Sequence, residues 1–140
     1  MTENVQGIEV GTRVTFEKTI THADIAAFTA LTEDTQPLHR DPQFAARTRF
    51  KHPIAHGLLC ASLIGTAIGT QLAPDRVIIY VSQSLRFRAP VSPGDHLTAT
   101  VTCTALDTER ARVTLETMVA NDAGTNVIAG EAVVVVEALA

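Results

Sequence analysis

The spacing of hydrophobic positions changes about halfway along the chain. In the first half they recur every three or four residues, as on one face of a helix. After residue 76 they fall in runs rich in Val, Ile and Thr, which are typical of strands. The order of helices first and strands afterwards predicts an α+β fold in which a sheet packs against helices.

Three helices are predicted in the first half. Thr21, with Asp24 three residues later, forms a capping pattern that starts a helix over about residues 22–32. An Asp-Pro pair starts a short helix over about residues 42–48. A third helix covers about residues 57–72, and because it is apolar on almost every side we expect it to be buried all round.

Four strands are predicted in the second half, and their separators are rich in Pro, Gly, Asn and Asp. Hairpins between consecutive strands are the shortest connection, so we expect an antiparallel meander that curls around the third helix. Before the first helix, Val14, Phe16 and Ile20 give only a short stretch of alternation. The predicted strands are residues 77–88, 96–105, 111–119 and 126–137.

Composition narrows the functional classes. A length of 140 residues with 46% hydrophobic content is typical of a single globular domain over residues 1–140. A net charge of -4 argues against a nucleic-acid partner. The longest apolar stretch is shorter than the roughly 20 residues of a membrane span, and the N-terminus has no secretory signal pattern. Cys60 and Cys103 lie in apolar stretches, which favours buried free thiols and a cytoplasmic location. A disulfide between them is the alternative.

Residues 33–42 contain the densest run of unusual residues. Asp34 and His39 flank a turn that contains Pro37, so both side chains can point to a shared water molecule. A carboxylate and an imidazole can each accept a proton near neutral pH and return it. The alternative is that Asp34 bonds its own turn and that His39 is a partly buried histidine satisfied by a neighbour.

Gly57 begins the third predicted helix. The first N–H groups of a helix lack intrahelical acceptors, so they can stabilise a developing oxyanion, and glycine allows a carbonyl to approach closely. A glycine at a helix start is also ordinary. Further along, Ser62, Thr66 and Thr70 form a polar stripe, which either bonds back to the helix or lines a substrate pocket.

The remaining candidates are basic and histidine residues. His52 and His56 are four residues apart, but Pro53 lies between them, so we predict no metal site. There are two basic groups, one in each half of the chain: Arg47, Arg49 and Lys51, and Arg86 and Arg88. Each group either forms a solvated surface or contacts the phosphates of a carrier such as coenzyme A.

The ordered blocks of the chain resemble MaoC-like proteins of the hot dog fold, and particularly (R)-specific enoyl-CoA hydratases. The resemblance extends over nearly the whole length. Its blocks are residues 23–28, Glu33-Asp34, Pro37-Leu38-His39, Asp41-Pro42, 44–46, Phe50, 53–59, 61–63, Ile79-Tyr80, 83–87, Pro90-Val91, Gly94-Asp95 and 130–132.

This resemblance implies that a curved antiparallel sheet surrounds a long central helix and that Asp34 and His39 activate water. It also implies that the Gly57 N–H holds the thioester carbonyl of a trans-2-enoyl-CoA, which is hydrated reversibly to (R)-3-hydroxyacyl-CoA. Coenzyme A would be part of the substrate and no separate cofactor is expected. A homodimer with a continuous sheet is implied, and some family members supply polyhydroxyalkanoate synthesis.

Two positions depart from the family pattern. Gln36 stands where asparagine is usual, and Gly65 stands where close hydratases have a serine, with Thr66 next to it. Both departures bear on the substrate pocket and on acyl chain length more than on the type of reaction.

Three rival functions remain. A hot dog thioesterase would usually have a carboxylate on the central helix, and residues 56–72 contain none. A dehydratase acting on acyl-carrier-protein thioesters would use the same chemistry. A non-catalytic acyl-thioester binding module would be expected to have lost Asp34 or His39.

Overall fold

A computed structural model describes residues 2–140 of the chain. Three α-helices precede most of the sheet, and a 3-10 turn and a π-helical turn complete the regular structure. The helices are α1 (His22–Thr32), α2 (Pro42–Ala46) and α3 (Gly57–Ala67), with the 3-10 turn at Pro37–His39 and the π-helical turn at Ile68–Leu72. The strands are β1 (Arg13–Thr19), β2 (Val77–Gln83), β3 (Arg86–Phe87), β4 (His96–Asp107), β5 (Arg112–Asn121) and β6 (Asn126–Glu137).

The strands form one antiparallel sheet in the order β1-β4-β5-β6-β2, with β3 also paired to β6. β4, β5 and β6 form the predicted meander. The expected hairpin between the first two predicted strands is wrong, because β2 pairs with β6 and the other edge of β4 pairs with β1. The short alternation before α1 is therefore a full strand. Register shifts in the β2–β6, β4–β5 and β5–β6 pairs are bulges that help such a sheet to curl.

Helix α3 packs one side into the concave face of the sheet. Its buried residues include Leu59, Leu63, Ile64 and Ala67, and they contact alternate residues of the sheet, such as Leu115. The expectation of burial all round is wrong, because Leu58 is 63% exposed and Ser62 also lies at the surface. A curled antiparallel sheet around a central helix of 16 residues, counted over α3 and the π-helical turn, confirms the predicted α+β hot dog fold.

The ends of the elements follow local chemistry. Thr21 and Asp24 form the predicted capping box at α1, with hydrogen bonds of 3.0 and 2.9 Å. α2 ends at Ala46, two residues earlier than expected. The predicted strand over residues 77–88 is interrupted, because the Ser84 carbonyl lies against Gly130 at a place that any Cβ atom would occupy. Glycine permits this close approach between neighbouring backbones.

Both cysteines are free and buried, which confirms the predicted thiols and excludes a disulfide between them in this fold. Burial raises the pKa of the Cys60 thiol to about 12 and also raises that of Cys103. No helix within residues 2–140 is long and apolar enough to cross a membrane.

Candidate active site

Asp34 lies in the loop directly after α1. Glu33 ends that helix in the left-handed conformation (φ 61°) and donates its N–H to the Thr29 carbonyl, which turns the chain away from the helix. The Asp34 carboxylate accepts a hydrogen bond from the Gln36 N–H (3.2 Å). Asp34 therefore bonds the backbone of its own turn, which is the alternative considered for it. Its second carboxylate oxygen makes no hydrogen bond within residues 2–140.

His39 is the last residue of the 3-10 turn and is partly buried. Its Nδ1 lies 2.7 Å from the Ile54 carbonyl oxygen. A carbonyl oxygen only accepts hydrogen bonds, so Nδ1 carries a proton, and in the neutral form of this imidazole the free lone pair is then on Nε2. The hydrogen bond thus leaves Nε2 as the atom that can take or give a proton.

His56 joins this pair, although the sequence analysis considered it only as a metal ligand together with His52 and rejected that role. Its imidazole is only 3% exposed and stacks on His39, with ring centroids 4.0 Å apart and planes inclined by 26°. Its Nε2 lies 3.3 Å from the Thr29 hydroxyl oxygen. Burial lowers the pKa of His56, as does the neighbouring His39, while the charge and the carbonyl of Asp34 act in the opposite direction.

One polar atom from each of Asp34, His39 and His56 lies within 4.8 Å of the other two. Three such residues suggest a metal site at first sight. The lone pairs of an imidazole lie in its ring plane, however, and two nearly parallel rings 4.0 Å apart cannot direct them to one ion at about 2.0–2.1 Å. The cluster is better suited to proton transfer than to metal binding.

Gly57 places the N-terminus of α3 beside the histidines. The His56 carbonyl accepts its hydrogen bond from the Cys60 N–H (3.2 Å), so the three preceding N–H groups of the helix have no intrahelical acceptor. Close approach by a substrate is not the only reason for glycine here. A Cβ on Gly57 would lie 2.7 Å from a ring carbon of Phe87, a residue that the sequence did not single out.

A cavity of about 450 Å³ connects His39 to the start of α3. Gly57, Cys60 and Phe87 line it, and its walls are mostly apolar. Of the basic candidates, Arg49 and Arg88 line this cavity, while Arg86 and Arg88 line a second one. Arg47 and Lys51 are exposed and line neither of the two.

The other pocket candidates lie away from this cavity. Ser62 and Thr66 each donate a hydroxyl hydrogen bond to a carbonyl of their own helix, which is the structural alternative considered for the polar stripe. Gly65 faces the Tyr80 ring, 4.0 Å from where a Cβ would stand. The exposed Gln36 precedes the 3-10 turn, and its backbone holds Asp34.

The lowered pKa of His56 predicts acid-sensitive stability. The unfolded chain takes up a proton near the ordinary pKa of about 6.5, whereas the folded chain resists it, so stability is complete above that pH and falls as the pH drops below it. We expect His56→Phe to reduce the loss of melting temperature between about pH 7 and pH 5. The exposed His52→Phe serves as the matched control. Equal pH dependence in both variants would contradict the prediction.

Two similar proteins carry the same description. The chain is 46% identical over 131 residues to an "(R)-specific enoyl-CoA hydratase" of Aeromonas caviae, covering 94% of this chain and 97% of that protein. It is 46% identical over 133 residues to a protein of the same description from Rhodospirillum rubrum, covering 95% and 91%. The solved structure of the "(R)-hydratase from A. caviae involved in PHA biosynthesis" matches with a TM-score of 0.86 and 45% identity, covering 93% of this chain and 98% of that one.

The family model described as "MaoC like domain" matches residues 4–127, which include the loop of Asp34 and His39, helix α3 and five of the six strands in full. Fold, relatives and family model agree with the resemblance seen in the residues. The chain belongs to the MaoC-like domain family.

Proposed function

We propose that this chain is an (R)-specific enoyl-CoA hydratase, a hydro-lyase that adds water reversibly to a trans-2-enoyl-CoA. The observation that carries the proposal is that His39 and the N-terminus of α3 line one apolar cavity, while a carboxylate oxygen of Asp34 lies within 4.8 Å of an imidazole nitrogen of His39. The relatives described as hydratases support the same reaction. Residues 1–140 act as a single domain in this proposal.

Asp34 and His39 hold the attacking water and handle its proton. Their polar atoms are within 4.8 Å of each other, so one water molecule can hydrogen-bond to both. Asp34 starts as a carboxylate and His39 as a neutral imidazole, so neither has an extra proton that it could donate to the substrate. The proton taken from water as its oxygen bonds to C3 is therefore the proton returned to C2, and the site regains its starting state.

The helix start stabilises the charge that develops during this addition. As the nucleophile bonds to C3, electrons move through the double bond to the thioester oxygen. The Gly57 N–H has no intrahelical acceptor and lies at the positive end of the helix dipole, so it can donate to this oxygen. The apolar walls of the cavity strengthen that hydrogen bond by excluding water.

Coenzyme A binds as part of the substrate and approaches from the basic side of the cavity. Arg49 and Arg88 line the cavity, and Arg86 extends the positive charge along β3. Their guanidinium groups suit the phosphates of the carrier. Arg47 and Lys51 do not line the cavity, and in this proposal they only add to the positive electrostatic potential around it.

Mixing the purified protein with crotonyl-CoA tests the proposal directly. We expect the enoyl absorbance to fall without release of free thiol, because water adds across the double bond and the thioester stays intact. Thiol release would indicate a thioesterase. No change with short or longer enoyl-CoA would contradict the hydratase, and activity only on acyl-carrier-protein thioesters would identify the related dehydratase.

Removing either member of the proposed acid/base pair should abolish most of the activity. We expect Asp34→Asn and His39→Ala each to lower kcat by roughly 100-fold or more, because neither replacement can transfer the proton. Glu33→Gln and His52→Ala are matched controls, since both residues are exposed and neither is assigned a part in the reaction. Near-normal turnover in Asp34→Asn or His39→Ala would refute the assigned roles.

A homodimer accompanies this proposal. β2 is at the end of the strand order, so one of its edges is unpaired, and Ile79, Tyr80 and Val81 are each about half exposed. Apolar strand edges of this kind favour pairing with a second copy. We expect sedimentation equilibrium to give the mass of two chains and Val81→Lys to shift it toward one. A wild-type mass of one chain would contradict the dimer. A cytoplasmic location and a supply of (R)-3-hydroxyacyl-CoA to polyhydroxyalkanoate synthesis stay predictions.

A further inference from the structure

His56 is a titratable side chain of the site that the proposed reaction does not use. It is 3% exposed, and its Nδ1 has no hydrogen-bond partner within residues 2–140. Burying a polar nitrogen without a partner costs free energy, so such groups are rare in folded proteins. An apolar ring at this place would avoid that cost, which makes the imidazole a feature to be explained.

The contacts of His56 connect α1 to the proposed catalytic imidazole. On one side, the Thr29 hydroxyl lies 3.3 Å from Nε2, and the Phe28 ring lies 4.8 Å away at an inclination of 54°. On the other side, the His56 ring stacks on His39. His56 is also the residue that precedes α3, so its backbone is fixed by the helix.

The hydrogen bond from His39 to the Ile54 carbonyl does not by itself fix the ring. A ring held at Nδ1 can still pivot about that hydrogen bond, and such rotation would displace Nε2 from the water. A stacked neighbour removes this freedom, because pivoting would break the contact at 4.0 Å. We propose that His56 is a positioning residue that fixes the plane of the His39 imidazole and stays uncharged when His39 takes up a proton, so that the stacked pair holds one positive charge.

The surroundings of His56 favour its neutral form. If Nε2 donates to Thr29, a second proton would place an N–H at Nδ1, which has no hydrogen-bond partner within residues 2–140, so only the nearby charge and carbonyl of Asp34 favour that proton. The titratable groups that face the ring are Asp34 and His39, and α1 contributes only the neutral Phe28 and Thr29. Burial and the neighbouring His39 both lower the pKa of His56, in agreement with this geometry.

Charged groups also surround the His39 side of the pair. His22, Glu33 and Arg40 line a groove on one side of His39, and Arg49 and Arg88 line the substrate cavity on the other. These charged side chains are exposed to solvent, whereas His56 is buried. A proton that enters the pair therefore resides on His39, next to the Asp34 carboxylate.

This inference rests on the proposed function for its catalytic meaning, but its charge distribution can be measured without substrate. Nitrogen NMR of the wild-type chain, followed from about pH 8 to pH 5, should show one imidazole of the pair becoming doubly protonated while the other stays neutral. Spectra of His56→Phe and His39→Ala would assign the two signals. Protonation of both rings, or of His56 alone, would overturn the inference even if hydratase activity is confirmed.

The kinetic test separates positioning from a general structural effect. We expect His56→Ala to lower kcat about 10-fold to 100-fold with little change in KM, because Nε2 of His39 loses its fixed place. His56→Phe restores a stacked ring and should recover most of the lost kcat. Thr29→Val removes only the hydrogen-bond partner of His56 Nε2, so it should lower kcat less than His56→Ala does, again with little change in KM.

His52→Ala is the control for these variants, since its imidazole is exposed and contacts only the neighbouring Pro53 carbonyl. Unchanged kcat in His56→Ala, or no recovery in a folded His56→Phe, would refute the positioning role. If His56→Ala does not fold, the Phe and Val variants and the wild-type NMR titration decide the question. Absence of hydration in the wild-type chain would instead refute the proposed function and leave the NMR result standing.

Discussion

Helix α3 has to bury one side in the curled sheet while its first residues stay at the open end of that sheet. Leu63, Ile64 and Ala67 anchor the helix in the core, and this fixes where the free N–H groups at Gly57 lie. The loop that contains Asp34 and His39 then needs only a few hydrogen bonds to reach the same point. The Ile54 carbonyl provides one of them, because residue 54 lies just before the helix. A rigid core therefore positions groups that belong to short turns with little regular structure.

The site concentrates polar groups around the start of α3. Asp34 is exposed, His39 is partly buried and His56 is enclosed, so three ionisable side chains span the change from water to protein interior. Electrostatic interactions strengthen along the same direction, because the effective dielectric constant falls with burial. His56 is the enclosed member of the three, and burial lowers its pKa, so it favours the neutral form. The unpaired Nδ1 of His56 lowers the free energy of unfolding, and the packing of the sheet and helix offsets this loss.

Local chemistry made α1, the start of α3 and the β4–β5–β6 meander predictable from the sequence. The Thr21–Asp24 capping box and the turn residues between strands act over a few positions, so a single sequence contains them. The pairing of β2 with β6, and of β1 with β4, joins residues 49 or more positions apart and left no local signal. In the site, the spacing of Asp34 and His39 was informative. His56 and Phe87 were missed because stacking and close packing depend on the tertiary fold.

The contact between Gly57 and Phe87 links two elements that are thirty residues apart. The ring occupies the volume that any side chain at residue 57 would need, at 2.7 Å from its first carbon. A side chain at residue 57 therefore requires the Phe87 ring, which is 53% exposed, to move aside or to be replaced by a smaller residue. A library that varies the helix start alone would favour sequences that keep glycine, whereas a library that also varies residue 87 would sample more replacements there. Relatives that have a side chain at the helix start should accordingly have a smaller residue on β3 or a displaced ring.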